Sequence, residues 1–298
     1  MTRVALVTGA SGSIGAEIAA ELARRGWALL LHGRDSSKLH RLALRIKGES
    51  GLAPRMVVAD FEDANSVRAM MTAVAAEARL DALINNAGTG FARQAGDVTD
   101  QGYDPTIQVN FLVPYALARC LQRSLSTSDS GLILNVCSIG QHGFGCRYEF
   151  GPQPRLGIAY GRSKLALAGA TVRLADELKT SGIAVVSVHP GTLVRSALSN
   201  RLIERSPWPL CGWLARRARS APSPSQAGRF IADIVATGRG AALNGQFVSN
   251  GSRAKLHRDL HQPEFSSSVC AAADLALVEM GLATMPPSPR AGLIPAGA

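Results

Sequence analysis

The sequence predicts an α/β chain: a doubly wound, mostly parallel sheet of seven strands with helices on both faces. Three observations predict it. Short apolar runs alternate with longer stretches whose apolar residues recur at spacings of three and four. The short runs are mostly continuous apolar stretches rather than strict alternations, as expected of strands covered on both faces. Strand–helix alternation in turn requires right-handed crossovers between parallel strands. The 298 residues suit one such domain, expected over 1–284, because no linker interrupts the middle.

The elements follow in order. A first strand at Val4–Thr8 feeds a helix over Ile14–Arg25. Strands at Ala28–His32 and Met56–Ala59 come next, then a helix at Ser66–Glu77 and a strand at Ala82–Asn85. A long helical pattern covers Tyr103–Gln122 before the strand at Leu132–Ser138. Gly140–Gly157 holds five glycines and two prolines and reads as a loop. A helix over Tyr160–Lys179 leads to strands at Ala184–His189 and Gln246–Val248. The stretch 196–224 between those two strands carries Trp208, Leu210, Trp213 and Leu214 among arginines; a lid over a pocket fits, and so does a helical pair packed on the core. Residues 285–298 contain four prolines and read as a disordered tail.

Composition narrows the function classes. At 46% hydrophobic and 18% charged residues, the chain can fill a core and is not a disordered protein. No apolar run reaches the ~20 residues of a membrane-crossing helix. The N-terminus enters a strand pattern directly and does not read as a signal peptide. Cys120, Cys137, Cys146, Cys211 and Cys270 show no metal-ligand spacing, which points to reduced thiols in a cytoplasmic protein and to no metal. The net charge of +10 suits an anionic ligand or simply a solvated basic surface. Arg201, Arg205, Arg216, Arg217 and Arg219 cluster against Glu204 alone, but no zinc spacing, basic zipper or RNA-binding aromatic motif accompanies them, so nucleic acid is not the expected partner.

Residues 8–19, TGASGSIGAEIA, lie between the first strand and the first helix, with Gly9, Gly12 and Gly15 three apart. Glycines there permit a tight turn and bring backbone N–H groups close to a pyrophosphate, whose charge the helix N-terminus favours. A plain tight turn is the alternative. The second strand ends in LLLHGRDSSKL, where a carboxylate would bind the ribose 2′-hydroxyl of NAD. Gly33 stands there instead, followed by Arg34 and Lys38, a grouping suited to a 2′-phosphate and hence to NADP(H). Asp35 comes two residues late and is expected to cap the next helix.

Tyr160 and Lys164 are i and i+4 on one helix and share a face. A neighbouring ammonium lowers a phenol pKa, so the pair is a plausible acid/base device, although such pairs are also common on solvated helices. Ser138 ends the fifth strand, and the turns INNAGTG (84–90) and HPGTLVRS (189–196) end the fourth and sixth. All collect at the C-terminal edge of the strands, where ligands bind in such sheets.

In these motifs, from about residue 3 to about 250, the chain resembles the short-chain dehydrogenase/reductase family, whose fold is a Rossmann-type sheet. They run in order: the glycine turn, Asp60, Asn85-Asn86-Ala87-Gly88, Asn110 in QVNFLVPYAL, Ser138, Tyr160 with Lys164, and Pro190-Gly191-Thr192. The resemblance implies that Ser138 hydrogen-bonds the substrate oxygen, Tyr160 carries its proton, and Lys164 holds the nicotinamide ribose and lowers the Tyr160 pKa. It implies that Asn110 maintains a helix kink and a water relay. Cofactor contacts implied are Gly9, Ser11, Gly12, Ser13, Ile14 and Gly15, then Arg34, Lys38, Asp60 and Phe61 around the adenosine, then Asn86, Ala87, Gly88, Tyr160, Lys164, Pro190, Gly191 and Thr192. Within the family the chain is most similar to the branch of retinol dehydrogenases and protochlorophyllide reductase-like proteins, with a closing helix near Ala271–Leu282. The expected reaction moves hydride between NADP(H) and a carbonyl or alcohol of an apolar small molecule. Reduction of a conjugated C=C or C=N bond, or a non-catalytic NADP(H) sensor, are the alternatives. A homodimer or homotetramer is the assembly the resemblance implies.

Overall fold

A computed structural model describes residues 2–90, 96–139, 150–153, 156–204, 218–249, 252–255 and 257–283. Strands β1 (Val4–Val7), β2 (Ala28–Gly33), β3 (Arg55–Val58), β4 (Ala82–Asn85), β5 (Gly131–Val136), β6 (Ile183–His189) and β7 (Phe247–Ser249) form a parallel sheet in the order 3-2-1-4-5-6-7. The seven strands read from the sequence are all present, with bounds moved by one or two residues. A short eighth, β8 (Ser252–Arg253), pairs antiparallel with β7 at the edge. Two residues carry no periodicity, so the sequence could not announce it.

Helices cover both faces, and strand side chains divide between them by parity. Leu6, Leu83, Ile133 and Val185 face one core, while Ala5, Val7, Ile84, Leu134 and Val186 face the other. The second core is roofed by α1 (Ser13–Arg24), α2 (Ser36–Ser50) and α9 (Pro224–Ala236) through Ile18, Leu22, Leu39, Ile46, Ile231 and Val235. A Cβ on Gly228 of α9 would lie 2.5 Å from Glu17 Cβ, so glycine sets how closely α9 rides on α1. The first core is roofed by α3 (Ala64–Ala75), α5 (Val113–Cys120), α7 (Leu156–Glu177) and α10 (Pro263–Glu279). Helix α8 (Ala197–Glu204) opens the stretch expected as a lid; Trp208, Leu210, Trp213 and Leu214 lie outside the described residues, as does 285–298.

The helix expected over Tyr103–Gln122 is interrupted. Asp104 caps α4 (Pro105–Ile107), a π-helical turn follows at Gln108–Leu112, then α5 and the short α6 (Gln122–Leu125). Pro114 has no N–H to give the Asn110 carbonyl four residues back, so the α-helical ladder cannot run through this point. Such turns recur at functional sites, and this one puts Asn110 beside α7.

The closing helix starts at Pro263, eight residues before the expected Ala271. Pro263 sits in its first turn, where a missing N–H costs nothing, and Ser266–Ser268 hid the start. Its Phe265 ring would be 3.0 Å from a Cβ on Gly169 of α7. Arg68 of α3 holds its end, donating to the carbonyls of Gly281 at 2.9 Å and Met280 at 3.2 Å. Arg119 of α5 bridges Tyr115, Glu177 and Asp274 between α5, α7 and α10.

Candidate active site

Parallel strands bring the turns after β1, β2, β4, β5 and β6 to one edge of the sheet. The glycine turn leaves β1 with Gly9 at φ +62°, a conformation that favours glycine. A Cβ there would lie 2.7 Å from the Ala87 Cα, and one on Gly15 would lie 2.3 Å from the Gly9 carbonyl oxygen. Thr8 stitches this turn to the fourth strand's end: its hydroxyl accepts from the N–H groups of Asn86 and Ala87, both at 3.0 Å. The Asn86 amide donates back to the carbonyls of Thr8 at 2.9 Å and Gly9 at 3.2 Å. Gly12 caps α1 without any side-chain hydrogen bond, so the N-terminal N–H groups around Ser13 and Ile14 meet no competing carboxylate. A cradle that any Cβ would fill and a helix start with no side-chain cap fit a dinucleotide pyrophosphate.

At the end of β2, a Cβ on Gly33 would lie 3.0 Å from the Ser11 hydroxyl, so the cradle and the 2′-position corner adjoin. Arg34 is 67% exposed, with its guanidinium 4.0 Å from Glu62. Asp35 caps α2 by accepting from the Lys38 N–H at 3.0 Å, as the sequence suggested, and pairs with the Lys38 ammonium at 3.3 Å. Asp60 closes a turn on the Glu62 N–H, and Phe61 beside it is buried.

The proton-handling residues meet at the end of β5. Ser138 hydrogen-bonds the Tyr160 phenol. Lys164 is buried, and its Nζ donates to the Val136 carbonyl at 2.8 Å. Asn110 lies against both the fourth strand's turn and α7: its amide donates to Thr89 O at 2.8 Å and Ser163 Oγ at 3.1 Å, while its oxygen accepts from Thr89 N–H at 2.8 Å. Ser163 in turn donates to the Tyr160 carbonyl at 2.8 Å. A Cβ on Gly88 would come within 3.3 Å of the Asn110 oxygen and 3.8 Å of Lys164 Nζ, so the small residue keeps this corner open. The structure thus brings Asn110, Ser138, Tyr160 and Lys164 together.

Burial pushes the Tyr160 phenol above its ordinary value against the opposing Ser138 hydrogen bond, while the Lys164 Nζ meets the Val136 carbonyl. Burial likewise holds the Lys164 amine below its usual range. Burial thus favours the neutral form of both groups.

The last turn, Pro190-Gly191-Thr192, is held from beneath. The His189 Nε2 lies 3.3 Å from Thr192 Oγ1. Gly191 has φ +121° and Leu193 has φ +57°, which is rare for a leucine and marks this turn as constrained. His32, Ser163 and His189 were not singled out from sequence. The available signal was a lone polar residue closing an apolar strand, as in LLLHGR and VVSVHP.

The two strand-end histidines carry a stability prediction. Burial holds each imidazole down to about 4, with His32 and His189 only 3% and 5% exposed. Unfolded, they titrate near 6.5, so between those values the unfolded chain binds more protons. Their stabilisation is complete above pH ~6.5 and is lost as pH falls toward ~4, by about 3 kcal/mol per ring. Urea unfolding at pH 7, 5.5 and 4 should show this decline, and His189→Asn should remove part of it. A midpoint independent of pH over this window would contradict it.

Fold, cradle and the Ser–Tyr–Lys grouping define an oxidoreductase of the nicotinamide-dependent class. The short chain dehydrogenase family model matches residues 3–206. Mouse (Mus musculus) retinol dehydrogenase 11 is 36% identical over 214 residues, covering 70% of this chain and 67% of that protein. A short-chain dehydrogenase from Sphingobium yanoikuyae in complex with NADPH superposes with a TM-score of 0.61 at 28% identity, covering 79% of this chain and 85% of that one. L-sorbose reductase from Gluconobacter frateurii does so at 0.67 and 25%, covering 84% and 96%. The chain belongs to the short-chain dehydrogenase family, on its retinol dehydrogenase-like branch, and is an enzyme of the dehydrogenase/reductase type acting on alcohols and carbonyls. It spans about two thirds of the length of the retinol dehydrogenase it matches.

Proposed function

We propose that the chain reduces a carbonyl group of an apolar small molecule with NADPH, Tyr160 supplying the proton. The observation that carries this reading is the hydrogen bond between Ser138 and the Tyr160 phenol at the end of β5, with the buried Lys164 one turn further along the same helix. A bound nicotinamide supplies the hydride. Ser138 orients the substrate oxygen and steadies charge developing on it. Tyr160, kept protonated by burial, donates the phenolic proton to that oxygen. Lys164 would hold the nicotinamide ribose, and Asn110 would serve the relay that returns a proton to Tyr160. Gly9, Ser11, Gly12, Ser13, Ile14 and Gly15 would hold the pyrophosphate; Asp60 and Phe61 the adenine; Asn86, Ala87, Gly88, Pro190, Gly191 and Thr192 the nicotinamide half.

Preference for NADPH is supported by the absence of a carboxylate at Gly33, by the accessible Arg34, and by the use of Asp35 as a helix cap. An apolar substrate is supported by Ile139, 41% exposed next to Ser138, and by the tryptophans of 196–224. No helix among the described residues is long and apolar enough to cross a membrane. Free thiols at Cys120, Cys137 and Cys270 accord with a cytoplasmic location.

The test is cofactor consumption over ketones, aldehydes, enones and imines with both nicotinamides. The expected result is NADPH oxidation with apolar ketones or aldehydes, and slower or no oxidation of NADH. Turnover confined to enones or imines would instead favour reduction of a C=C or C=N bond. Tight NADPH binding without turnover on any class would favour a sensor.

A further inference from the structure

We propose that His32 is a positioning residue for the adenosine half of the cofactor, joining the pyrophosphate cradle, the 2′-phosphate corner and the adenine-side turn into one unit. This rests on the cofactor reading above. Strand β2 is apolar until His32, which is 3% exposed. Burial alone does not call for histidine there; a leucine would continue the run. The ring instead makes three contacts with segments expected to hold the cofactor. Its Nδ1 accepts from the Gly9 N–H at 3.3 Å. Its Nε2 lies 3.1 Å from the Ala59 carbonyl. Its face stacks on Phe61, with centroids 4.2 Å apart and planes 9° from parallel.

The partners fix the protonation state. Gly9 offers a donor and Ala59 an acceptor, so only the neutral ring with its proton on Nε2 satisfies both. The backbone reinforces the tie: the His32 carbonyl accepts from Ala10 N–H at 2.8 Å, and the Gly33 carbonyl accepts from Ala59 N–H at 3.3 Å. Residues 9–10, 33 and 59–61 are therefore held in register by the His32 side chain together with the carbonyls of His32 and Gly33. Without the ring, the Gly9 N–H and the Ala59 carbonyl lose their partner, and Phe61 loses the surface it stacks on.

The experiment measures dissociation constants of NADPH, NADH and adenosine 2′,5′-bisphosphate by calorimetry, for the unmodified chain and for His32→Phe, His32→Asn and His32→Gln. His32→Phe keeps a ring on Phe61 but neither hydrogen bond. An Asn oxygen can reach the place of Nδ1; a Gln amide reaches that of Nε2 instead. The expected result is about tenfold weaker NADPH and NADH binding by His32→Phe, as for one or two lost hydrogen bonds. The same ratio is expected for the bisphosphate, because the loss resides in the adenosine half. His32→Asn should recover most of the affinity and His32→Gln less.

The proposal is overturned if His32→Phe, with an unchanged melting temperature, binds all three within twofold of the unmodified chain. It is also overturned if the bisphosphate loses nothing while NADPH does. Should His32→Phe not fold, equal affinities of the Asn and Gln variants would overturn it. Equal binding of NADH and NADPH by the unmodified chain would overturn the reading of Arg34 and leave this one standing; binding of neither would overturn both.

Discussion

Tyr160→Phe is expected to lower carbonyl reduction by about 10³-fold, the range over which a positioned general acid acts. The substitution removes one oxygen from a ring whose backbone is tied through Ser163 to Asn110, so the surroundings of the ring should persist. NADPH affinity should stay within a few-fold, because the substitution leaves the cradle of Gly9–Gly15 and the Arg34 corner intact. The raised phenol pKa adds a direction: below its value Tyr160 is already protonated, so reduction should be flat through neutral pH, while alcohol oxidation should climb with pH. Stopped-flow absorbance of NADPH with saturating ketone measures the rate, and fluorescence of bound NADPH measures the affinity. Unchanged turnover would remove Tyr160 from its role.

Gly15→Ala should act as strongly on cofactor binding, weakening NADPH about a hundredfold or more, some 3 kcal/mol. Gly15 is in α1, where alanine is the better helix former by about 1 kcal/mol, so propensity alone predicts stabilisation. Steric contact reverses the sign. The new methyl would sit 2.3 Å from Gly9 O and 2.6 Å from Asn86 Nδ2, and the Asn86 amide is itself bonded to Thr8 and Gly9. The carbonyl cannot swing away, so the turn must open, at about 1–3 kcal/mol of folding stability. Gly48→Ala in α2 is the matched control: nothing lies within 4 Å of its Cβ, and it should stabilise the chain by about 0.5–1 kcal/mol. Calorimetric titration and urea unfolding of the two variants separate the effects. Normal NADPH affinity in Gly15→Ala would contradict the cradle.

Much of the fold was legible because its signals are local. An apolar run such as Leu132–Leu134 must be covered on both faces, and its division between two cores follows from strand parity. The edge where ligands bind follows from parallel order, so Gly9, Ser138, Tyr160 and Thr192 could be assigned to one side of the sheet beforehand. The π-helical turn was less visible: apolar spacing over Tyr103–Gln122 is helical, and only Pro114 hints at the break. The start of α10 was masked by a serine run that turns out to sit within the helix, Ser266 buried and Ser267 exposed.

The site was legible as a list and not as a set of contacts. Spacing places Tyr160 and Lys164 on one face, yet it cannot say that the Val136 carbonyl accepts from Lys164 or that burial raises the Tyr160 pKa. Likewise His32 precedes Gly33 in sequence, but its ties to Gly9, Ala59 and Phe61 arise only when three strand ends lie side by side. Long-range partners of polar groups are set by topology, and single-residue patterns do not encode them.

The central claim is that Ser138 and Tyr160 grip an oxygen so that hydride reaches the carbon bearing it. NADPH carrying deuterium at the transferable C4 position tests this directly, with the product examined by NMR. The claim predicts deuterium on the carbinol carbon of the alcohol formed. Deuterium on a carbon β to an intact carbonyl, or a product without label, would contradict it.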